Sequence, residues 1–441
     1  MFKKVFPLSL ILFLRFLGLF LVLPVLSVYA LDLKGATPFL VGVIVGGYAL
    51  TQAIFQVPFG TMSDKIGRKP TILFGLLIFF AGSLLCAYST DIYMLMFGRF
   101  LQGAGAIGSV VTAMIADLVE EKTRGHAMAI MGGFIAMSFA FAMALGPVIA
   151  SHYGISVIFF ITAILAVVAI IVLFVKVPTP PKIKHIYHEK TKTSDILKDP
   201  NLLGMIIINA MQKGLMTAAF VIIPVFLTKP EYGFNWDKSE LWMVYAPAMI
   251  AGLIAMGPAA IFGEKRNIPK QIFMVSIVLF IASFVMMGTT TSSSVFVTAV
   301  IFFFIAFNMM EPLVQSMISK FAKVHQKGAA LGIANSAAYF MTFLGGTFAG
   351  LYLNFSGREM LGLTIGGIGL VWLIWTAIKM KNPKRYAHLV IPQEEINFDK
   401  LNALESEHIA EWFINETENV IVIKYASENL NEDDLKARVI Y

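Results

Sequence analysis

Apolar residues in this chain come in long unbroken runs, not in the alternation of a half-buried strand or the narrow stripe of a soluble helix. Such runs lie near 7–31, 38–61, 70–89, 92–117, 125–150, 156–176, 201–228, 238–262, 270–289, 295–318, 328–353 and 360–379. A helix crossing about 30 Å of hydrocarbon needs about 20 residues of this kind. The pattern therefore predicts twelve membrane-spanning helices. Lys3 and Lys4 ahead of the first run mimic the start of a secretory signal, but the run is too long for one and no small-residue cleavage site clearly follows it. The longest polar interruption, 177–200, is rich in proline and lysine and divides the spans six and six. Two six-helix halves around a central cavity are a layout for secondary transport. No filter-like loop or ring-forming charge repeat favours a channel.

After Pro383 the pattern changes to that of a soluble module. Residues 387–392, 409–415 and 420–426 read as strands, the last two joined by a turn at 416–419. Residues 397–406 read as a helix with an asparagine cap, and 431–440 as a helix with acids in its first turn. The order βαββα is one strand short of a ferredoxin-like unit, and "ARVIY" could supply the missing strand. The expected fold class is an all-α polytopic membrane protein plus a small α+β ferredoxin-like domain. Its expected parts are a first bundle at 1–176, a linker at 177–200, a second bundle at 201–382 and the tail at 386–441.

Composition supports the membrane reading. Of 441 residues, 58% are hydrophobic and 14% charged, against about 25% charged in soluble domains. One cysteine, Cys86, excludes a disulfide framework and a Cys-based zinc site. The net charge of +7 is a sum of opposites: residues 1–385 hold 30 Lys/Arg against 15 Asp/Glu, and residues 386–441 hold 4 against 12. The positives sit in short loops, where they signal topology, so no nucleic-acid partner is expected. With the N-terminus inside, 23 basic residues fall on interior loops and 4 (Lys34, Lys229, Lys238, Arg358) outside. Both termini are therefore expected in the cytoplasm, with the chain in the inner membrane.

The loop after the second span reads Gly60-Thr-Met-Ser-Asp64-Lys-Ile-Gly67-Arg68-Lys69. Gly60 permits close helix contact and Gly67 a tight turn. Asp64 suits the N–H groups at a helix N-terminus, and Arg68 calls for a carboxylate at its own level, for which Asp117 is best placed. The loop matches throughout the signature between helices two and three of the major facilitator superfamily, and the chain resembles that family. The resemblance implies that this cluster latches the two halves in the outward-open state. Arg99-Phe-Leu-Gln102-Gly103 resembles the family's Arg-x-x-Gln-Gly motif. Gly133, Gly146 and Pro147 match the fifth-helix motif of proton-coupled drug antiporters, a set of close helix contacts with a proline bend, while Ala142, Ala150 and Ser151 replace its glycines. The equivalent loop of the second half has Gly263, Glu264, Lys265 and Arg266 but no aspartate at the Asp64 position. With its tail, the whole chain resembles the YajR-type antiporters that carry a C-terminal YAM domain.

Arg15, Arg99, Lys213 and Glu311 lie within spans, and ionisable groups there are functional candidates. Glu311, taken as the deepest acid, leads as proton carrier because burial would raise its pKa; the alternative is a fixed partner for Lys213. Arg99 is placed on or near the same path. Arg15, Gln52, Gln56, Gln102, Asn209, Gln212, Lys213 and Asn308 are expected to line the substrate cavity, with helix–helix hydrogen bonding the bland alternative for each. No Walker loop, dinucleotide fingerprint or hydrolase motif is present, so an enzyme is not expected. The reading is alternating access with proton-coupled export of a small apolar or cationic solute. Import of a metabolite, such as an anion drawn by Arg15, Arg99 and Lys213, and a transporter-like sensor signalling through its tail are the alternatives. No cofactor beyond the proton is expected. The expected partners are a small solute and the bilayer around a monomer, with the acidic tail able to touch the basic loops.

Overall fold

The computed structural model describes residues 2–119, 121–178, 193–232, 234–322, 326–355, 357–382, 386–403, 409–415, 420–426 and 432–440. The first six spans are α1 (Phe2–Leu21) continued by α2 (Leu23–Ala30), α3 (Pro38–Ile66), α4 (Arg68–Ala87), α5 (Ile92–Ala104) with α6 (Gly108–Leu118), α7 (Glu121–Tyr153) and α8 (Ile155–Val175). A short α9 (Thr193–Lys198) precedes α10 (Pro200–Thr228), α11 (Trp242–Lys265), α12 (Pro269–Thr289), α13 (Ser293–Phe321), α14 (Lys327–Phe355) and α15 (Gly357–Lys379). Among the described residues, eleven of these spans are long and apolar enough to cross a bilayer; α14, 29 residues long, is richer in small and polar residues. The protein is a multi-pass membrane protein. Because twelve long spans reverse direction in turn, both chain ends lie at one end of the bundle, here the terminal face; the other end is the far face.

Helix starts follow local chemistry. Thr37, Asp91 and Asp199 accept backbone N–H bonds at the first turns of α3, α5 and α10, and Pro38 and Pro200 sit where no N–H is needed. Gly67 turns the chain from α3 into α4 at φ 101°, a left-handed conformation that disfavours a side chain. The fourth span is not continuous as the hydrophobic run suggested. It breaks at 105–107, where Arg15 Nη2 donates to the Gly105 carbonyl oxygen at 2.9 Å. The guanidinium thus takes up an acceptor that has left the helix ladder.

Spans one to six pack mainly among themselves, as do spans seven to twelve. The two groups meet at the far face. There α3 and α14 touch backbone to backbone: a Cβ on Gly42 would overlap the Gly346 carbonyl, and one on Gly46 would lie 2.7 Å from the Phe343 Cα. Ser27 Oγ donates to the Phe220 carbonyl at 3.2 Å, joining α2 to α10. Phe139 of α7 packs against Phe220 of α10 and Phe304 and Phe307 of α13, with centroids 5.6 to 6.4 Å apart. Toward the terminal face the same helices part: Gly60 on α3 and Gly328 and Gly332 on α14 have open space where a side chain would stand. The bundle is closed at the far face and open at the terminal face.

The tail forms a three-stranded antiparallel sheet in the order β1 (Tyr386–Pro392), β3 (Val420–Ala426), β2 (Ile409–Asn415), with Leu389 opposite Ile423 and Trp412 on its other side. Leu389, Ile391, Ile421 and Ile423 pack against Leu401 of α16 (Phe398–Ala403) and Leu435 and Val439 of α17 (Glu432–Val439). The asparagine cap holds: Asn397 Oδ1 accepts from Lys400 N–H. Of "ARVIY", the described residues 437–440 do not supply a strand; α17 runs to Val439, and Ile440 makes one isolated bridge to Ile396. The expected turn at 416–419 and linker positions 179–192, with His185 and His188, lie outside the described residues.

A Cβ on Gly103 would overlap the Tyr48 carbonyl and the Thr51 hydroxyl, whereas Gly60 has nothing nearby. Gly103→Ala should therefore cost about 1–3 kcal/mol of stability through overpacking, and Gly60→Ala close to nothing. Thermal unfolding of the two purified variants compares them directly.

Candidate transport pathway and conformational switch

At the terminal face, the loop between α3 and α4 brings the motif residues together. Arg68 Nη1 donates to Asp64 Oδ1 at 2.6 Å and to Ser63 Oγ, and Arg68 Nε donates to Asp117 Oδ2 at 3.0 Å. The inferred Arg68–Asp117 pairing is present and ties α4 to α6. Asp64 differs from expectation: it faces Arg68, not a helix N-terminus, and its side chain is 65% exposed. Lys69 takes no part in the cluster's described bonds. Every member of the cluster belongs to the first six spans, so nothing in it holds the two halves together in this conformation. Gly60, expected at a close helix contact, is likewise clear of its neighbours.

Inside the first half, two arginines are fully buried with no carboxylate among their described partners. Besides Gly105, Arg15 Nη2 reaches Gln52 Oε1 at 3.5 Å, and its charge lies 5.5 Å from the Phe16 ring and 5.6 Å from Phe79. Arg99 donates to Gln102 Oε1 at 2.8 Å and sits 4.8 Å above the Tyr48 ring, and Gln102 in turn donates to Ser83 Oγ at 2.9 Å. Carbonyl oxygens, amides and ring faces supply the countercharge. Gln52, Gln56 and Gln102 are also buried. The expected cavity-lining role of Arg15, Gln52 and Gln102 thus gives way to internal bonding in this conformation.

The second half contrasts with this. Lys213 on α10 pairs with Glu311 on α13 at 2.7 and 2.9 Å, Gln212 Nε2 adds a bond to the same carboxylate at 3.0 Å, and Lys213 Nζ stands 4.8 Å over the Phe307 ring. The side chains are 23% and 36% exposed. Glu311, taken from the sequence as the deepest acid with a fixed Lys213 partner as the alternative, is paired with Lys213 and partly exposed. Two other expected liners act as helix glue. Asn209 donates to the Ala334 carbonyl of α14, and Asn308, bonded back to Phe304, also meets Met249 Sδ of α11 at 4.0 Å. On α7, Gly146 packs against the Leu21 carbonyl and Pro24 with Pro147 beside it, but Gly133 touches nothing nearby.

Several groups carry weight that sequence reasoning missed. Asp32 binds both Lys229 and Lys238 across the far face; these lysines had counted only as topology signals. Phe139 was one phenylalanine among 38. Among the described residues, no three His, Cys, Asp or Glu side chains gather as a metal site.

This architecture is that of a membrane transporter, and comparison places it. The Major Facilitator Superfamily model matches residues 8–346 and 268–416, and the chain belongs to that family; it is a transporter, not an enzyme. It is 34% identical over 97% of its length, and 94% of the relative's, to the inner membrane transport protein YajR of Escherichia coli (strain K12). Multidrug resistance protein 2 of Bacillus subtilis (strain 168) is 27% identical over 82% of this chain and 92% of its own. Among solved structures, a D-xylose–proton symporter superposes with a TM-score of 0.71 at 14% identity, over 87% of this chain and 99% of that one, which shows the shared fold.

Gln102→Leu would leave a buried Arg99 N–H without its acceptor. The expected cost is about 1–3 kcal/mol, read as a fall in thermal unfolding temperature. Gln102→Glu, which restores an acceptor, should lose less.

Proposed function

We propose that this protein is a proton-coupled exporter of small apolar or cationic organic solutes, working by alternating access in the inner membrane. The observation that carries the reading is the Lys213–Glu311 pair, an acid and a base inside the spans with both side chains partly exposed. A proton, Lys213 and a cationic head group compete for one carboxylate. A site that holds one occupant at a time links the release of one to the binding of another. The preponderance of basic residues on terminal-face loops supports a cytoplasmic terminal face and both termini inside. The conformer would then be open to the cytoplasm, where an exporter loads. Arg99, bonded through Gln102 to Ser83, would act on the proton path by position.

A second reading rests on a different observation. Arg15 and Arg99 put two buried positive charges in the first half with no acid among their described partners, which favours an anionic solute and import. The direction of transport separates the two. The tail's strand order, with β3 antiparallel between β1 and β2 and α16 crossing between them, supports a ferredoxin-like (YAM-like) module that lacks its last strand. Its acidic charge suits contact with the basic linker, screened beyond about 8 Å at physiological salt. If it is a signalling element of a sensor, transport should not survive intact when 386–441 is deleted.

Reconstituted vesicles test the main reading. With an acidic lumen, ethidium should enter vesicles holding the wild-type protein as protons leave, and Glu311→Gln should abolish the dependence on the pH gradient. Gradient-driven uptake that persists in Glu311→Gln removes the carboxylate from the coupling. Uptake indifferent to the gradient in the wild type rejects antiport.

A further inference from the structure

A transporter that alternates must hold the closed side shut without sealing it permanently. At the terminal face the motif cluster lies within one half. At the far face the steric fit of α3 against α14 and the Phe139 contacts supply packing. Charge does cross there. Asp32, in the loop after α2, takes Lys229 at 3.0 Å through one carboxylate oxygen and Lys238 through the other. Both lysines come from the segment between α10 and α11, in the second half. Lys238 also stands 4.4 Å over the ring of Tyr29, whose hydroxyl donates to the Ala150 carbonyl of α7. Among the described ion pairs, those of Asp32 are the ones that join the two halves.

We propose that Asp32, clamped by Lys229 and Lys238, is the far-face latch of the transport cycle: a positioning residue that sets how long the far side stays closed. The arrangement complements the terminal-face cluster. Arg68 gathers two acids within one half, whereas Asp32 gathers two lysines from the other. The pairs are partly exposed, with 48% of the Asp32 side chain and 26% and 32% of the lysines open to solvent. Each is consequently modest in strength and sensitive to salt, as a latch that must open on every cycle requires. Partial burial pushes the Asp32 carboxyl pKa up, but the bonds and charges of Lys238 and Lys229 together outweigh it and hold it below the ordinary value. A carboxyl lowered in this way favours the closed state above its ordinary pKa and loses that contribution only as pH falls through the lowered value. Lys229, Lys238, Asp237 and Tyr29 are the titratable groups around it. The latch therefore stays charged on a mildly acidic outer side and opens by rearrangement, not by titration.

The test uses the full-length protein in vesicles and its own Cys86 as an internal control. Ser27, fully buried at the α2–α10 contact, is replaced by cysteine, and an impermeant maleimide is added from the far side. Cys86 is buried within the first half, so its labelling reports unfolding. Asp32→Asn should raise labelling at position 27 by ~3- to 10-fold while Cys86 stays protected. The double variant Lys229→Gln, Lys238→Gln should do the same by the other route. The reversed set, Asp32→Lys with Lys229→Asp and Lys238→Asp, should restore slow labelling. The proposal is overturned if labelling at position 27 is unchanged in both neutralised variants, or if it rises only together with Cys86, or if the reversed set labels as fast as Asp32→Asn.

Discussion

Everything in this fold turns on the approach of α3 and α14 at the far face. Gly42, Gly46, Gly346 and Gly350 let two backbones meet where side chains would hold them apart. In a bilayer, burial of apolar side chains between helices gains little, because lipid is equally apolar; close backbone packing and polar contacts do the work. That contact draws the halves together at one end, and two rigid six-helix groups drawn together at one end must diverge at the other. Open space at Gly60, Gly328 and Gly332 is the geometric consequence.

Span count and positions were readable from the long apolar runs because hydrocarbon thickness dictates them. Observed spans differ from the expected ones by a few residues, mostly extending at the loop ends, where α3 runs on to Ile66 and α13 to Phe321. The Arg68–Asp117 pair was also legible, since two opposite charges at the same loop level have few other partners. The break at 105–107 was hidden: the Gly105 carbonyl that leaves the ladder is taken up by Arg15, 90 residues away, and hydropathy records no long-range donor. Glu311 was legible only as two alternatives, a proton carrier or a fixed partner for Lys213, because hydropathy does not record a pairing 98 residues apart; the structure contains the pair. Polar stripes on α10 and α13 were correct as stripes, yet Asn209 and Asn308 face other helices instead of the pathway. Spacing fixes a shared face but not what that face meets.

The halves are chemically unequal in a way that fits their separate work. The first half buries Arg15 and Arg99 among carbonyls, amides and ring faces, and Arg15 Nε and Nη1 and Arg99 Nη2 have no hydrogen-bond partner there. The second half carries a matched pair, Lys213 and Glu311, with both side chains partly exposed. On the proposed function, that pair is the group that would change state.

On the proposed function, exchange at Glu311 would act on the rest of the bundle through side chains already in contact. Any shift in the occupancy of Glu311 alters Lys213, which rests on the Phe307 ring, and Phe307 is packed against Phe139 of the first half. That chain of contacts runs from the ion pair to the aromatic plug in two steps, and the plug lies with the other cross-half contacts, Ser27–Phe220 and Asp32 with its lysines. Interfaces packed this closely move between discrete arrangements instead of deforming smoothly. A change of charge at one carboxylate can therefore be felt at the far-face seam through side chains already in contact, without unfolding any helix along the way.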